Sequence, residues 1–247
     1  MAWKKNLYAP SILFIILVSL FMLYNSYNYN TTAIYYSPHP DDEILSMGPG
    51  IVQALQQYNE VIVVLLSSGT ASKSYNTINS RLSELALSDL SLVEFGKARV
   101  QEFKSSVQAL GVKKENIYVY DLQDGNIQME DIKSIIVSFE QKYPNSVHHC
   151  MTYHDPHPDH RASGEALKSL LDSRDIRHGL FFLPIQVNQV TGRYHYYVKA
   201  RNNPRIINAA EIYKRWNPRG GNYAIGYHSV PDYFEKFENS FSSRVHF

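Results

Sequence analysis

Residues 37–43 read Ser37-Pro38-His39-Pro40-Asp41-Asp42-Glu43, and their reading decides the fold. They follow a short β-prone run, Ala33-Ile34-Tyr35-Tyr36, and precede Ile44, Leu45, Met47, Ile51, Val52 and Leu55 in a helix-like pattern. Strand, tight polar loop, helix is how open α/β sheets present ligands at the carboxyl ends of their strands. Pro38 and Pro40 fix φ and push the residues before them toward extended conformations, so the loop is stiff. A stiff loop carrying an imidazole and carboxylates is half of a metal site. Asp-Asp-Glu also suits the first turn of an ordinary helix, where carboxylates cap free N–H groups. This stretch alone leaves both readings open.

Working outward, strands and helices alternate without repeats or low-complexity tracts. Val61-Ile62-Val63-Val64-Leu65-Leu66 is a continuous apolar run of the kind found in a strand buried on both faces. The polar loop Ser67-Ser68-Gly69-Thr70 follows it. Leu92 to Leu110 has helical spacing and ends at Gly111. Asn116 to Leu122 reads as a third strand, Asp131 to Tyr143 as a helix, Val147 to Tyr153 as a fourth strand, Arg161 to Leu171 as a helix and Gly179 to Ile185 as a fifth strand. The alternation predicts an α/β fold, a Rossmann-like three-layer αβα arrangement with a mostly parallel sheet. Beyond Pro184 the pattern changes. Gln189 to Lys199 has the composition of a Tyr-rich hairpin, and Ala209 to Trp216 that of a short helix. This part reads as an elaboration packed near the strand ends.

The fourth strand runs into Tyr153-His154-Asp155-Pro156-His157-Pro158-Asp159-His160, with a helix directly after it. The grammar of the first loop is repeated: buried strand, proline-stiffened loop with His and Asp, helix start. In a parallel sheet both loops emerge at the same edge and can converge on one crevice. Zinc accepts His nitrogen and carboxylate oxygen, and a catalytic zinc site keeps a position open beyond three protein ligands.

The pair Pro38-His39-Pro40-Asp41-Asp42-Glu43 and His157-Pro158-Asp159-His160 resembles the signature of the PIG-L/LmbE-like zinc-dependent de-N-acetylases, over roughly Ala33 to Leu183. The resemblance implies that His39, Asp42 and His160 bind one Zn2+ per chain. It implies Asp41 as the general base, His157 as the acid at the leaving amine, and Asp159 as the residue adjusting His157. Arg99 resembles a substrate-contacting arginine, with a helical ion pair to Glu102 as the competing reading. Ser68 and Asp124, on strand-end loops, are further substrate-binding candidates. Glu43 reads as a capping or supporting group. One of His148 and His149 reads as a core histidine, His154 as a solvated loop residue or one that reaches the site, and His195, His228 and His246 show no partners. The implied reaction removes the N-acetyl group from an N-acetylglucosamine-containing glycolipid or envelope saccharide. A zinc amidase or esterase for a non-sugar substrate would use the same site.

The chain has 247 residues, 44% hydrophobic and 19% charged, with a formal net charge of +1. That suits a globular fold and gives no sign of a nucleic-acid partner. A single cysteine, Cys150, excludes an intrachain disulfide and reads as buried and inert. Leu7 to Tyr24 is uncharged and apolar, and as a helix would span roughly 27 Å, close to a bilayer core. Lys4 and Lys5 precede it, tyrosines flank it, and no small-residue cleavage site follows. Residues 1–30 are therefore expected to be a single-pass membrane anchor and linker. Residues 31–247 are expected to be one de-N-acetylase-like domain, with a core at 31–185 and an elaboration at 186–247. Charge bias places that domain on the non-cytoplasmic side. Tyr194, Tyr196 and Tyr197 are candidates for stacking on a sugar ring.

Overall fold

The computed structural model describes residues 18–19, 32–187 and 195–247, the side chains of 195–197 excepted. β1 (Thr32–Ser37) is flanked by β2 (Glu60–Leu65) and β4 (Val147–Met151). β3 (Ile117–Val119) lies outside β2, and β5 (His178–Phe182) outside β4, all in parallel. The strand order β3-β2-β1-β4-β5 reverses direction between β1 and β4. Chain segments leaving β1 and β4 diverge there and open a crevice at the strand ends. Those segments are the two His/Asp loops.

The strands alternate strictly because both faces are covered. Ala33, Tyr35, Val61, Val63 and Leu65 join one core cluster, while Ile34, Tyr36, Ile62, Val64 and Leu66 join the other. After α1 (Asp42–Leu45), the first cluster is covered by α2 (Gly48–Gln57) and, beyond α3 (Ser74–Glu84), by α4 (Leu92–Leu110). The second is covered by α5 (Met129–Lys142) and α6 (Pro158–Asp172), through Ile132, Ile136, Phe139, Ala166, Leu167 and Leu170. Tyr36 Oη lies 3.0 Å from His148 Nδ1, and His148 Nε2 lies 2.9 Å from Glu140. His148 is thus a hydrogen-bonded core histidine. Its neighbour His149 stacks on Tyr35 at 4.1 Å. Cys150 is buried, as expected.

α6 sits hard against the end of β4. A Cβ on Gly164 would lie 2.3 Å from Tyr153 N, 2.6 Å from Met151 O and 2.7 Å from the Thr152 carbonyl carbon. These are backbone atoms and cannot swing aside. Gly164→Ala is expected to lower stability by about 1–3 kcal/mol or more, read as a drop in the denaturant midpoint. An unchanged midpoint would mean that α6 shifts freely on β4.

The C-terminal residues do more than pack near the strand ends. β6 (His195–Lys199) pairs antiparallel with β9 (Ser242–His246), which pairs antiparallel with β5, so both join the main sheet. The expected local hairpin is therefore not what the described residues form: residues 188–194 lie outside them, and β6 finds its partner in β9. α7 (Pro204–Ile212), a two-stranded turn of β7 (Trp216–Asn217) and β8 (Asn222–Tyr223), α8 (Ile225–Ser229) and α9 (Pro231–Ser240) complete the chain. α7 begins at Pro204, with Asn203 capping it, and so precedes the expected Ala209–Trp216 helix. Among the described residues no helix is long and apolar enough to cross a membrane. Leu7 to Tyr24 falls outside them except for Val18 and Ser19.

Candidate functional site

The β1 loop turns sharply because the Ser37 hydroxyl donates to the His39 carbonyl at 2.8 Å. Asp42 then opens α1, and His157 precedes α6, whose first turn carries Pro158, Asp159 and His160. Proline at the first helical position needs no N–H partner and presets the helical φ. The two helix starts therefore bring His39, Asp42 and His160 together.

Their facing atoms form a near-equilateral triangle. His39 Nδ1 lies 3.2 Å from His160 Nε2 and 3.3 Å from Asp42 Oδ2, and the third edge, His160 Nε2 to Asp42 Oδ2, is 3.1 Å. Ligand atoms bonded to tetrahedral zinc at about 2.0–2.1 Å stand roughly 3.3–3.4 Å apart. The donor types and spacings fit Zn2+. The other ring nitrogens are also held: His160 Nδ1 lies 2.8 Å from Asp155 Oδ2, and His39 Nε2 faces Asp159 Oδ2 at 3.0 Å and Asp124 Oδ1 at 3.1 Å. Such carboxylate partners fix the tautomer and orientation of metal-binding imidazoles. Asp159 is itself fixed by the Gly125 and Ile127 N–H groups, at 2.8 and 3.0 Å.

Carboxylates outnumber cations here. Burial disfavours charge on Asp42, but His160 and His39 outweigh it and hold its carboxyl far below the ordinary range. Burial likewise disfavours charge on His160, but Asp42 and Asp155 raise it to about 9. The cluster thus draws positive charge to its centre, a demand that a divalent cation satisfies.

Asp41 stands beside the triangle. Burial raises its carboxyl against the pull of Arg99, whose Nη2 lies 3.1 Å from Asp41 Oδ2. Arg99 is only 3% exposed and also donates to the Pro40 carbonyl at 2.8 Å and to the Gly69 carbonyl. It is therefore not the surface partner of Glu102, whose carboxylate instead accepts the Ile225 and Gly226 N–H groups at 2.8 and 3.0 Å. Glu43 is fully buried and accepts the Asp41 N–H at 2.9 Å and the Tyr213 hydroxyl at 2.7 Å. Burial pushes its carboxyl up to about 8 despite those hydrogen bonds.

A cleft of about 460 Å³ opens onto this group. His39, Asp41, Asp42, Arg99, Asp124, His157 and His160 all line it. Two other sequence candidates lie differently. Ser68 is not part of the lining, and its hydroxyl donates to Asp121 at 3.0 Å. The Asp159 carboxylate meets His39, while His157 is exposed and packs its ring edge-on to His39, centroids 5.0 Å apart. Sequence reasoning missed Asp155, although it sits inside the second loop, and it missed Tyr213 and Tyr233, which carry no motif. Tyr233, on α9, lines the cleft and finds no hydrogen-bond partner for its hydroxyl among the described residues. His246, expected to lack partners, has Nε2 2.7 Å from the Thr152 hydroxyl. His228 lies 2.6 Å from Arg81.

Comparison with known proteins places this geometry. Residues 34–171, more than half of the chain and containing both loops, match the model of the PIG-L family, described as GlcNAc-PI de-N-acetylase. No curated protein matches the sequence. Among solved structures, a deacetylase triple mutant of the teicoplanin biosynthetic pathway aligns with 87% of this chain and 96% of its own, at 16% identity and TM-score 0.64. The N,N'-diacetylchitobiose deacetylase of Pyrococcus horikoshii aligns with 94% of this chain and 90% of its own, at 18% identity and TM-score 0.55. A 4-carboxy-2-hydroxymuconate hydratase of Pseudomonas putida aligns with 85% of this chain and 83% of its own, at 18% identity and TM-score 0.55. At such identities these structures share the fold, and one fold carries several reactions. The family match covers the two loops themselves, and on that ground the chain belongs to the PIG-L family and is a deacetylase of the hydrolase class.

Proposed function

We propose that this chain is a zinc-dependent hydrolase that removes the N-acetyl group from an N-acetylglucosamine-containing glycoconjugate and releases acetate. The observation that carries the reading is the triangle of His39 Nδ1, Asp42 Oδ2 and His160 Nε2, with the buried Asp41 carboxylate beside it. These three residues would hold one ion per chain. Such an ion, when bound, polarises the amide carbonyl and makes water nucleophilic at neutral pH.

The chain's own groups do the rest. Asp41 Oδ2 takes the proton of the attacking water, and Arg99 keeps that oxygen aimed into the cleft. His157, exposed in the lining, delivers a proton to the departing amine nitrogen. Asp155 orients His160, while Asp124 and Asp159 orient His39. Asp159 accordingly acts through His39. Arg99 and Asp124 are the lining residues nearest in kind to a polar substrate grip, and Ser68 supports the Asp121 loop instead. Tyr233 offers the aromatic face that a sugar ring requires.

The apolar segment Leu7 to Tyr24 is taken as a membrane anchor, with the catalytic domain on the non-cytoplasmic side. A tether this short suits a substrate held at a surface, a glycolipid or envelope saccharide. Fractionation tests the anchor: recovery of full-length chain in the aqueous phase would remove it. The reaction is tested by acetate release from N-acetylglucosaminides against simple N-acyl amines, before and after chelation. Chelator-sensitive release confined to the glucosaminides supports the reading. Equal release from plain N-acyl amines would replace it with a general zinc amidase.

A further inference from the structure

We infer that Tyr213 is a positioning residue for the reaction: through Glu43 it holds Asp41 in the backbone conformation that aims its carboxylate. The inference rests on Asp41 as the base. Asp41 has φ 114° and ψ −27°, a region that L-residues rarely adopt and keep only when their surroundings over-determine it. Two contacts do so. On one side the Asp41 N–H donates to Glu43 Oε2 at 2.9 Å. On the other, Arg99 Nη2 donates to the Pro40 carbonyl of the same peptide unit at 2.8 Å.

Glu43 can hold that N–H only if its own carboxylate cannot rotate. Its second oxygen, Oε1, accepts the Tyr213 hydroxyl at 2.7 Å. Tyr213 is 0% exposed, lies at the end of α7, and packs its ring 5.5 Å from that of Phe234. Gly226 closes the other side, so near that a Cβ there would stand 2.3 Å from the tyrosine ring. Neither Glu43 nor Tyr213 lines the cleft. Both act at a distance, and Tyr213 lies beyond residues 34–171 of the family match. The C-terminal part thus acts on the reaction through a strut as well as through the cleft wall.

Tyr213→Phe keeps the ring and removes only the hydroxyl. Its expected effects are a kcat lower on the order of 10- to 100-fold, unchanged KM and zinc content, and faster hydrogen exchange at the Asp41 amide. Glu43→Gln keeps both hydrogen bonds, because its amide oxygen accepts from Asp41 and its NH2 donates to the tyrosine oxygen. It is expected to retain most of kcat and the protection of the Asp41 amide. Unchanged kcat and exchange in Tyr213→Phe would overturn the strut. So would a Glu43→Gln variant as impaired as Tyr213→Phe, since charge rather than geometry would then be at work. Should Tyr213→Phe fail to fold, Glu43→Gln decides alone: loss of Asp41 protection refutes the strut. Absence of acetate release by the wild type would defeat the proposed reaction, while the exchange measurement would still report on the strut.

Discussion

Replacing Asp41 with asparagine is expected to reduce turnover on the order of 10²–10⁴-fold while leaving one zinc ion per chain in place. The two adjacent aspartates have different neighbours, and this separates their roles. Asp42 Oδ2 forms two edges of the donor triangle, whereas Asp41 Oδ2 faces Arg99. Asparagine preserves size, can still accept from Arg99 through its carbonyl oxygen, and tolerates positive φ better than most residues. Only the capacity to take a proton disappears. Metal content by elemental analysis and kcat by acetate release check the two halves separately. Loss of zinc in Asp41→Asn would mean that Asp41 is a ligand.

Replacing His160 with alanine should instead empty the site and bring activity to background. The change removes one donor atom and leaves the Asp155 carboxylate, 1% exposed, without the imidazole 2.8 Å away. A buried carboxylate stripped of its partner is costly, so the variant should also be less stable. Asp155→Ala isolates the supporting contact, since it removes the acceptor and leaves all three donors in place. A loss of 10- to 100-fold in zinc affinity is expected there, measured by competition with a chelator. If His160→Ala retains stoichiometric zinc, the donor set is wrong. If Asp155→Ala binds zinc as tightly as the wild type, the ring needs no orienting partner.

The parallel half of the sheet was legible because its strands are buried on both faces and therefore written as apolar runs, as in Val61 to Leu66. The loops were legible because metal and proton chemistry demands particular side chains, and their prolines fix where those side chains start. Asp159 shows the limit. The family resemblance implied that it adjusts His157, yet the helix start turns its carboxylate toward His39, 120 residues away in sequence. Arg99 and Glu102 share one helix face, and an ion pair between them was the competing reading of Arg99, but each found a buried partner from another segment. Ser68 lies in a strand-end loop, where polar residues commonly line sites, but its hydroxyl turns to Asp121. Tyr213 and Tyr233 were illegible for a simpler reason. A tyrosine acquires such a role only from its position in the fold, and neither the pairing of Tyr213 with Glu43 across 170 residues nor the place of Tyr233 in the cleft wall leaves a local pattern.

The placement of β9 bears on how the chain is made. Ser242–His246 lies between β5 and β6, not at the margin of the sheet. During synthesis β5 and β6 emerge before the strand that joins them, and at about 5–20 residues per second the wait lasts seconds. Through that interval β5 presents an unpaired edge, the kind of surface that recruits other strands. A ribosome stalled before Ser242 would hold a nascent chain whose two His/Asp loops are already complete and whose sheet is still open. Quality control would therefore meet a polypeptide whose two loops are in place before its sheet is closed, and Ser242–His246 seal it.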